Sequence, residues 1–409
     1  MHNICDYNAK GDGRTNCTAA VQSAVDACFA VGGGKVEVPS GIYRIGTVIL
    51  KSNVELHLQS GAVLLASDNC DDFPEREVKH VETKFLARAK NACIIYAEES
   101  ENISITGDGV IDCNGDKFVV PDEDFWMPYR RIDKPTPPRA VFFAGCKNVK
   151  ITDVTLRNSP AGWSYWIHDC DYVTFDRVKI FARVDYPNND GIHINCSRNV
   201  TVSNSTITCG DDCIAVRANS ASLKENKVCE NVTVTNCTLT TWGNGVRIGW
   251  INDGTIRDCT FSNLTITDSS VGIGIVLPGR GDERLLDEGR ESTLIENITF
   301  NNIVFDRGRS APIWIDISDC KYTNAAAVRN ITVNNFRAVS AEFPYICGRK
   351  DVPIKNLTLS DCSFEKTSET YRYGASGEVV FGDNGRHSLK IEYVENLVLN
   401  NVKMTERKV

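Results

Sequence analysis

Long apolar runs, blocks of basic residues and closely spaced cysteine pairs are all missing from this chain of 409 residues. No stretch approaches the roughly 18 consecutive apolar residues of a membrane helix, and no series of charged, apolar and small residues of the kind found in secretory leaders opens the sequence. We therefore expect a soluble protein with no membrane partner. We expect it in the cytoplasm, or outside the cell if a leader once preceded Met1.

The charges and cysteines exclude further classes. The net charge is −8 and the Lys and Arg residues form no block, which argues against nucleic acid as a partner. The 17 cysteines are scattered singly, and the closest pair, Cys209 and Cys213, has no second pair or histidine cluster to complete a zinc site. We expect no cofactor, and thiols that pack as small hydrophobic side chains in a reducing compartment.

Helical periodicity is also nearly absent. The exception is TAAVQSAVDACFAVGG, residues 18–33, where Ala, Val and Phe recur at helical spacing before a run of glycines. We expect a short helix over 18–33 that caps the N-terminal end of a β structure, because the strand edges there would otherwise be open.

The sequence is rich in one repeated phrase, an Asn followed by alternating apolar and polar residues, many of them Val, Ile and Thr. The phrase begins at Asn102, Asn148, Tyr172, Asn199, Asn231, Asn263, Asn297, Asn330, Asn356 and Asn396. Most starts lie 24 to 34 residues apart, which is the period of a solenoid. The alternation predicts short strands with one buried face, and coils stacked about 4.8 Å apart would join these faces into one core. We predict a single all-β solenoid domain over residues 1–409.

The recurring Asn has a structural explanation. Asn tolerates left-handed backbone and bonds to neighbouring turns, so we expect asparagine ladders where the coils turn. Residues 70–98 and 113–139 depart from the repeat. The second stretch mixes aromatic, charged and proline residues, and we expect both to be loop excursions near a binding cleft.

Three carboxylates stand close together in the segment from 186 to 216, YPNNDGIHINCSRNVTVSNSTITCGDDCIAV: Asp190, Asp211 and Asp212. The 21 residues from Asp190 to Asp211 correspond to about one coil, so we expect the three acids to share one patch. Repulsion keeps one of several crowded carboxylates protonated, which suits glycoside hydrolysis by an acid and a base. Clustered oxygens also suit calcium, and spacing alone leaves both interpretations open.

The motif letters favour catalysis. The opening YNAKGDGRTNCTAAVQSAVDAC, the Asn158–Pro160 triplet with Trp163, the run Asn188-Asn189-Asp190-Gly191 and the run Gly210-Asp211-Asp212 together resemble glycoside hydrolase family 28, the polygalacturonases. The resemblance covers nearly the whole chain and implies a single-stranded right-handed parallel β-helix. It also implies hydrolysis of a pectic glycan with inversion and without metal. In that mechanism Asp211 is the general acid, and Asp190 and Asp212 activate water.

Two motifs depart from the family pattern. Its Gly-His-Gly is here Gly243-Asn244-Gly245, which replaces a histidine by an amide that cannot carry a proton. Its Arg-Ile-Lys is here Gly274-Ile275-Val276, which removes two cations that would hold a galacturonate carboxylate. The residues predicted to bind substrate are Asn188, Asn244, Arg247, Arg280, Arg217 and Trp250.

These departures predict an oligo- or polysaccharide substrate, containing uronate, other than smooth homogalacturonan. A rhamnogalacturonan fragment and an oligosaccharide cleaved from its end both fit. Each predicted arginine could instead be structural, and Arg247 is balanced between the two roles. Two other functions stay open: a polysaccharide lyase or epimerase on the same fold, and a glycan-binding β-helix without catalysis.

Overall fold

The computed structural model describes residues 1–76, 78–81, 92–125, 127–134, 136–137, 139–160, 162–250, 253–277, 293–318, 323–368 and 389–407. The chain divides into two compact units, which are described separately. The first comprises Met1–His193, Ser197–Gly210 and Ser222–Lys224, and the second comprises Ile194–Cys196, Asp211–Ala221 and Glu225–Val409. That the whole chain is one domain stays a prediction.

The first unit is built from three rows of parallel strands. The first row contains His2–Asn3, Gly34–Val38, Val54–Leu58, Glu101–Thr106, Lys147–Thr152, Asp171–Asp176 and Arg198–Ser203. The second row contains Asp12–Asn16, Gly41–Ile45, Ala62–Ala66, Val110–Asp112, Thr155–Arg157, Lys179–Phe181 and Thr206–Cys209. The third row contains Val48–Ile49, Cys93–Glu98, Arg139–Ala144 and Trp163–His168. The strand Ile192–Asn195 begins in this unit and ends in the second.

The second unit repeats this arrangement. One row contains Ile214–Arg217, Asn244–Ile248, Val271–Val276, Ile313–Asp316, Tyr345–Cys347 and Lys390–Glu392. The other two rows are joined by long strands and contain Cys229–Thr235, Thr238–Thr241, Thr255–Thr267, Thr293–Gly308, Thr323–Ser340, Ile354–Ser360, Ser363–Thr367, Val394–Glu395, Val398–Asn400 and Lys403–Arg407. Strands paired in parallel with long sequence separation confirm the predicted parallel β-helix.

The strand alternation builds the core. In the first unit Ile103 pairs with Val149, which pairs with Val173 and then Val200, and all four are buried. Because equivalent positions stack in register, the apolar face of each coil is covered by the next. The described cysteines are free and almost all buried, and burial raises the pKa of the Cys93 thiol to about 12. They pack as the sequence predicts.

Asparagine ladders connect the turns. Every start of the repeated phrase has left-handed backbone, with φ between 52° and 58°. In the second unit the Nδ2 of Asn330 donates to Asn297 at 2.9 Å, Asn356 donates to Asn330 at 2.7 Å, and Asn396 donates to Asn356 at 2.9 Å. The prediction differs at Asn263, which accepts from Asn302 and so belongs to a second turn row. Coils carry two left-handed turns five residues apart, such as Asn297 and Asn302, and the repeat did not separate them.

The helix is shorter than the 18–33 predicted. It runs from Thr18 to Ala30, buries Val21 and Val25, and contacts the first strands of the unit. Gly33 has a φ of 112° and donates its N–H to the Cys28 carbonyl at 2.9 Å, a conformation that closes the helix before the glycines. No helix within the described ranges is long and apolar enough to span a membrane.

The two predicted excursions contain more order than expected. Residues 70–98 end in the regular strand Cys93–Glu98, so the first excursion stops earlier than predicted, because the apolar run CIIYA is long enough to form a buried strand. Part of that stretch, residues 77 and 82–91, lies outside the described residues. The second excursion contains a small antiparallel hairpin of Val119–Pro121 and Tyr129–Arg131.

Candidate active site

Asp190 lies in the first unit, two residues before the strand Ile192–Asn195, and its exposed fraction is 4%. Its main-chain carbonyl accepts the Ser164 N–H at 2.8 Å, which attaches it to the preceding strand of the row. Its Oδ2 lies 3.1 Å from Nδ1 of His193, which is also buried. The backbone of Asp190 is therefore tied to the neighbouring strand, and its carboxylate contacts an imidazole.

Asn189, the residue before Asp190, is fully buried and joins two of the sequence motifs. Its Oδ1 accepts the Gly210 N–H at 2.6 Å, and its Nδ2 donates to the Arg183 carbonyl at 3.0 Å. A Cβ at position 210 would lie 3.0 Å from the Arg183 oxygen and closer still to that of Tyr186, so the bend requires glycine. This hydrogen bond sets the start of the Gly-Asp-Asp motif.

Asp211 lies in the second unit at the bend that follows Gly210, and it is partly exposed. Its main-chain carbonyl accepts the Thr241 hydroxyl, and Thr241 in turn accepts the Gly243 N–H at 3.0 Å. The backbone of Asp211 is thus fixed, while the residue as a whole is partly exposed to solvent. A general acid that meets a substrate needs both properties.

Asp212 is buried, with an exposed fraction of 7%, and it contacts two of the residues predicted to bind substrate. Its Oδ1 accepts Nδ2 of Asn244 at 2.6 Å and the Asn244 main-chain N–H at 3.3 Å. Its Oδ2 lies 3.8 Å from Nη1 of Arg247. The amide that replaces the family histidine therefore orients this carboxylate, as a neutral donor can.

Gly274 makes room for that amide. A Cβ at position 274 would lie 2.5 Å from Oδ1 of Asn244 and 3.1 Å from its Cγ. A carboxylate only accepts hydrogen bonds, so Nδ2 must face Asp212 and Oδ1 must face Gly274. The two departures from the family pattern, at positions 244 and 274, therefore depend on each other. The Oδ1 of Asn244 occupies the space that the side chain of a larger residue at position 274 would fill.

Arg247 and Trp250 also lie together in the second unit. The Arg247 guanidinium lies 4.0 Å from the centre of the Trp250 ring, and its Nε donates to the Gly249 carbonyl at 3.3 Å. Within the described part of the chain its buried Nη2 has no hydrogen-bond partner. A buried guanidinium N–H near Asp212 is therefore unsatisfied among the described residues, and an anionic group is the kind of partner that it would take.

Arg217 faces a different partner. Its Nε and Nη2 donate to the two carboxylate oxygens of Asp253 at 2.7 and 2.8 Å, and Asp253 is fully buried. Asp253 also accepts the Trp250 N–H at 3.1 Å. The fork of Arg217 thus supports the turn that carries Trp250, and substrate binding by Arg217 stays a prediction.

The remaining predicted residues are Asn188 and Arg280. Asn188 has left-handed backbone with a φ of 52°. Arg280 lies outside the described residues. No group of three or more His, Cys, Asp or Glu that could hold a metal ion occurs in the described part of the chain.

The hairpin of the second excursion packs beside the Asp190 segment. Tyr186 donates its hydroxyl to Asp116 at 2.5 Å and packs its ring 5.1 Å from that of Tyr129. Arg183 lies 4.8 Å from both ring centres and is paired with Asp185 at 2.6 Å. We call these side chains the wall cluster, and that this excursion borders a cleft stays a prediction.

Comparisons with known proteins agree with this fold and these motifs. The model of the glycosyl hydrolases family 28 matches residues 28–374. An exo-poly-α-D-galacturonosidase of Dickeya chrysanthemi is 28% identical over 313 residues, which are 66% of this chain and 51% of the relative, so the match spans about half of that protein. A polygalacturonase of Gossypium barbadense is 27% identical over 387 residues, covering 88% of this chain and 83% of the relative.

Among solved structures, the exopolygalacturonase of Thermotoga maritima superposes with a TM-score of 0.73 at 20% identity, covering 98% of this chain and 91% of the other. Fold and motifs thus define a β-helical glycoside hydrolase. The chain belongs to the glycosyl hydrolases family 28.

Sequence reasoning missed His193 and Thr241 as contacts of the predicted acids. His193 carries a usable signal, since it is a titratable residue three positions after Asp190 in the otherwise apolar strand sequence GIHI. Thr241 carries none, because its contact with Asp211 is made across 30 residues of sequence.

Proposed function

We propose that this protein hydrolyses glycosidic bonds of a pectic glycan with inversion at the anomeric carbon. Asp211 protonates the departing oxygen, while Asp190 and Asp212 hold and deprotonate the attacking water. An inverting pair of this kind is expected to stand roughly 6.5 to 9.5 Å apart so that water fits between acid and base. The relatives named polygalacturonases support pectin as the substrate source.

One observation carries the proposal: the carboxylate of Asp212 accepts two N–H groups of Asn244 and faces Arg247. Its orientation is fixed by neutral donors and its remaining oxygen points towards a cation. A base that accepts a proton from water benefits from such preorganised surroundings, because no reorganisation is needed during the reaction. The partly exposed Asp211 beside it suits the acid.

The second unit also supports a substrate of mixed charge. Arg247 offers an unpartnered Nη2 within the described residues, which suits a uronate carboxylate. Next to Gly274, the Oδ1 of Asn244 offers a neutral acceptor, which suits a sugar hydroxyl and repels a carboxylate. A substrate that places a uronate at Arg247 and a neutral sugar at Asn244 fits both. A rhamnogalacturonan fragment has this alternation, and a cytoplasmic protein would receive it as a short oligosaccharide.

The experiment is incubation with defined pectic oligosaccharides, including galacturonan and rhamnogalacturonan fragments, with products followed by NMR. We expect one water added per cleavage and a β-configured product from an α-linked substrate. Products with an unsaturated ring would identify a lyase, a changed sugar configuration without cleavage would identify an epimerase, and bound but unchanged glycan would identify a binding protein. Retention of configuration would refute the mechanism.

The residue roles have their own test. Asp211→Asn should lower kcat by about 100-fold or more, the usual contribution of a general acid, without altering the fold. Asp116→Asn, a change of the same type in the wall cluster, is the matched control and should keep kcat within a few-fold. Near-normal turnover in Asp211→Asn refutes the assignment of the acid.

A further inference from the structure

A column of stacked side chains ends at Asp190 in the first unit. The ring of His193 lies 3.9 Å from that of Trp163, centre to centre, with 27° between the planes. Behind Trp163 lies the guanidinium of Arg139, 4.6 Å from its ring centre and 3.9 Å from that of Trp166. Arg139 has an exposed fraction of 1% and His193 of 4%, so both are buried, while Trp163 between them is partly exposed.

The column restricts the orientation of His193. A ring stacked on Trp163 can turn about its own axis only by opening a gap or by colliding with Trp163. In the observed orientation Nδ1 lies 3.1 Å from Oδ2 of Asp190. An ionised carboxylate accepts hydrogen bonds only, so Nδ1 carries the proton and donates it. The stack thus holds the plane of the ring, and the carboxylate selects the orientation and the tautomer.

The other histidine beside the column differs. His168 stacks on Trp166 at 4.8 Å, and its Nε2 lies 2.7 Å from the Ser222 hydroxyl. Burial lowers the pKa of His168 to about 3, so it stays neutral and adds no charge beside Arg139. His193 is therefore the imidazole of this column that contacts a predicted catalytic carboxylate.

We infer that His193 is a positioning residue for Asp190: it holds the carboxylate through the Nδ1 hydrogen bond in the orientation needed to activate water. The chain lacks a histidine at position 244, where Asn244 orients Asp212 instead. Each of the two carboxylates proposed to activate water then has its own nitrogen donor. The donor is the imidazole of His193 for Asp190 and the amide of Asn244 for Asp212. The inference rests on the proposed function, because it matters only if Asp190 acts on water.

The test compares three substitutions of one residue. In His193→Asn, Nδ2 is attached to Cγ as Nδ1 is, so a donor remains within reach of Asp190. His193→Gln places its donor one atom further out, and His193→Leu has no donor. A misplacement of about 1 Å can cost on the order of 100-fold in rate. We therefore expect Asn to keep kcat within about 5-fold, and Gln and Leu to lose about 10- to 100-fold with KM unchanged.

A purely structural role predicts the reverse order. Gln and Leu fill the space of the imidazole better than Asn, so packing alone would rank them above Asn in thermal stability and in kcat. The inference is refuted by any of three results. These are Gln and Leu ranking above Asn in kcat, equal kcat in all three variants, and a failure to fold that affects only His193→Asn. Asp190→Asn separates the two proposals: if it retains turnover, the role of Asp190 is wrong, whereas an inactive Asp190→Asn beside a fully active His193→Leu refutes the inference alone.

Discussion

Gly274→Ala is the sharpest test of how the departures from the family pattern work together. The added Cβ would lie 2.5 Å from Oδ1 of Asn244, less than any normal contact, so the amide must turn. Turning breaks the 2.6 Å hydrogen bond from Nδ2 to Asp212. A hydrogen bond to a charged group contributes about 1.5–3 kcal/mol. Because about 1.4 kcal/mol corresponds to a factor of ten in rate, kcat/KM should fall by about 10- to 150-fold.

The fold should tolerate the change. Gly274 lies within the strand Val271–Val276, where alanine is favoured over glycine by about 0.5–1 kcal/mol in conformational entropy. The assay is kcat/KM on the best oligosaccharide of the substrate panel, with thermal unfolding measured in parallel. We expect lower activity and a slightly lowered Tm, because the hydrogen bond that is lost contributes more than the conformational entropy that is gained.

A double-mutant cycle isolates the contact. In an Asn244→Ala background the nearest remaining atom of residue 244 is Cβ, 3.8 Å from the new methyl group, which is an ordinary contact. Gly274→Ala should then change kcat/KM by less than about twofold, since independent sites add within about 0.5 kcal/mol. An equal loss in both backgrounds, or wild-type activity in the single variant, would refute the coupling of Asn244 and Gly274.

Three further predictions concern charges. Asp253→Asn leaves the Arg217 guanidinium without its buried counter-charge and should lower the free energy of unfolding by about 3–5 kcal/mol in urea titrations; a raised KM at unchanged stability would instead assign Arg217 to the substrate. Arg247→Lys should weaken binding of a uronate-containing substrate by about 1–2 kcal/mol, seen in KM, and leave a neutral analogue unaffected. The hydrogen bond that His80 donates to Asp169 raises the pKa of His80 above its ordinary 6.5. The stability from this pair is therefore complete below about pH 6.5 and is lost as pH rises through the raised pKa, and a plot of Tm against pH should lose this component in His80→Gln.

The fold could be predicted because it repeats. Alternation over a few residues predicts a strand, and ten copies of one phrase predict stacked coils. A wrong prediction for one coil therefore does not change the predicted fold. What the repeat concealed was the second turn row at Asn263 and Asn302, since both turn types use the same residue. The end of the helix at Ala30 was also missed, because the glycine conformations that close it are set by backbone geometry.

The candidate site could likewise be predicted only in part. The three aspartates and the altered residues at 244 and 274 could be identified from the sequence, because each of them belongs to a short local motif. Their partners were not: Asn244 meets Asp212 across 32 residues, and Arg217 meets Asp253 across 36. No pattern in the sequence separates Arg247, with its unpartnered nitrogen among the described residues, from Arg217, which is bonded to Asp253 through both oxygens.

The sequence by itself determined the class of fold, the family and the identities of the predicted acids, since alternation, repeat and motif are properties of order along the chain. Tertiary structure alone decided that Asn244, in the space that Gly274 leaves, meets Asp212, and it turned the nearby His193 towards Asp190. The physical reason is that stacking brings residues one coil apart into contact. Hydrogen bonds of about 3 Å then depend on side-chain directions that sequence spacing does not specify.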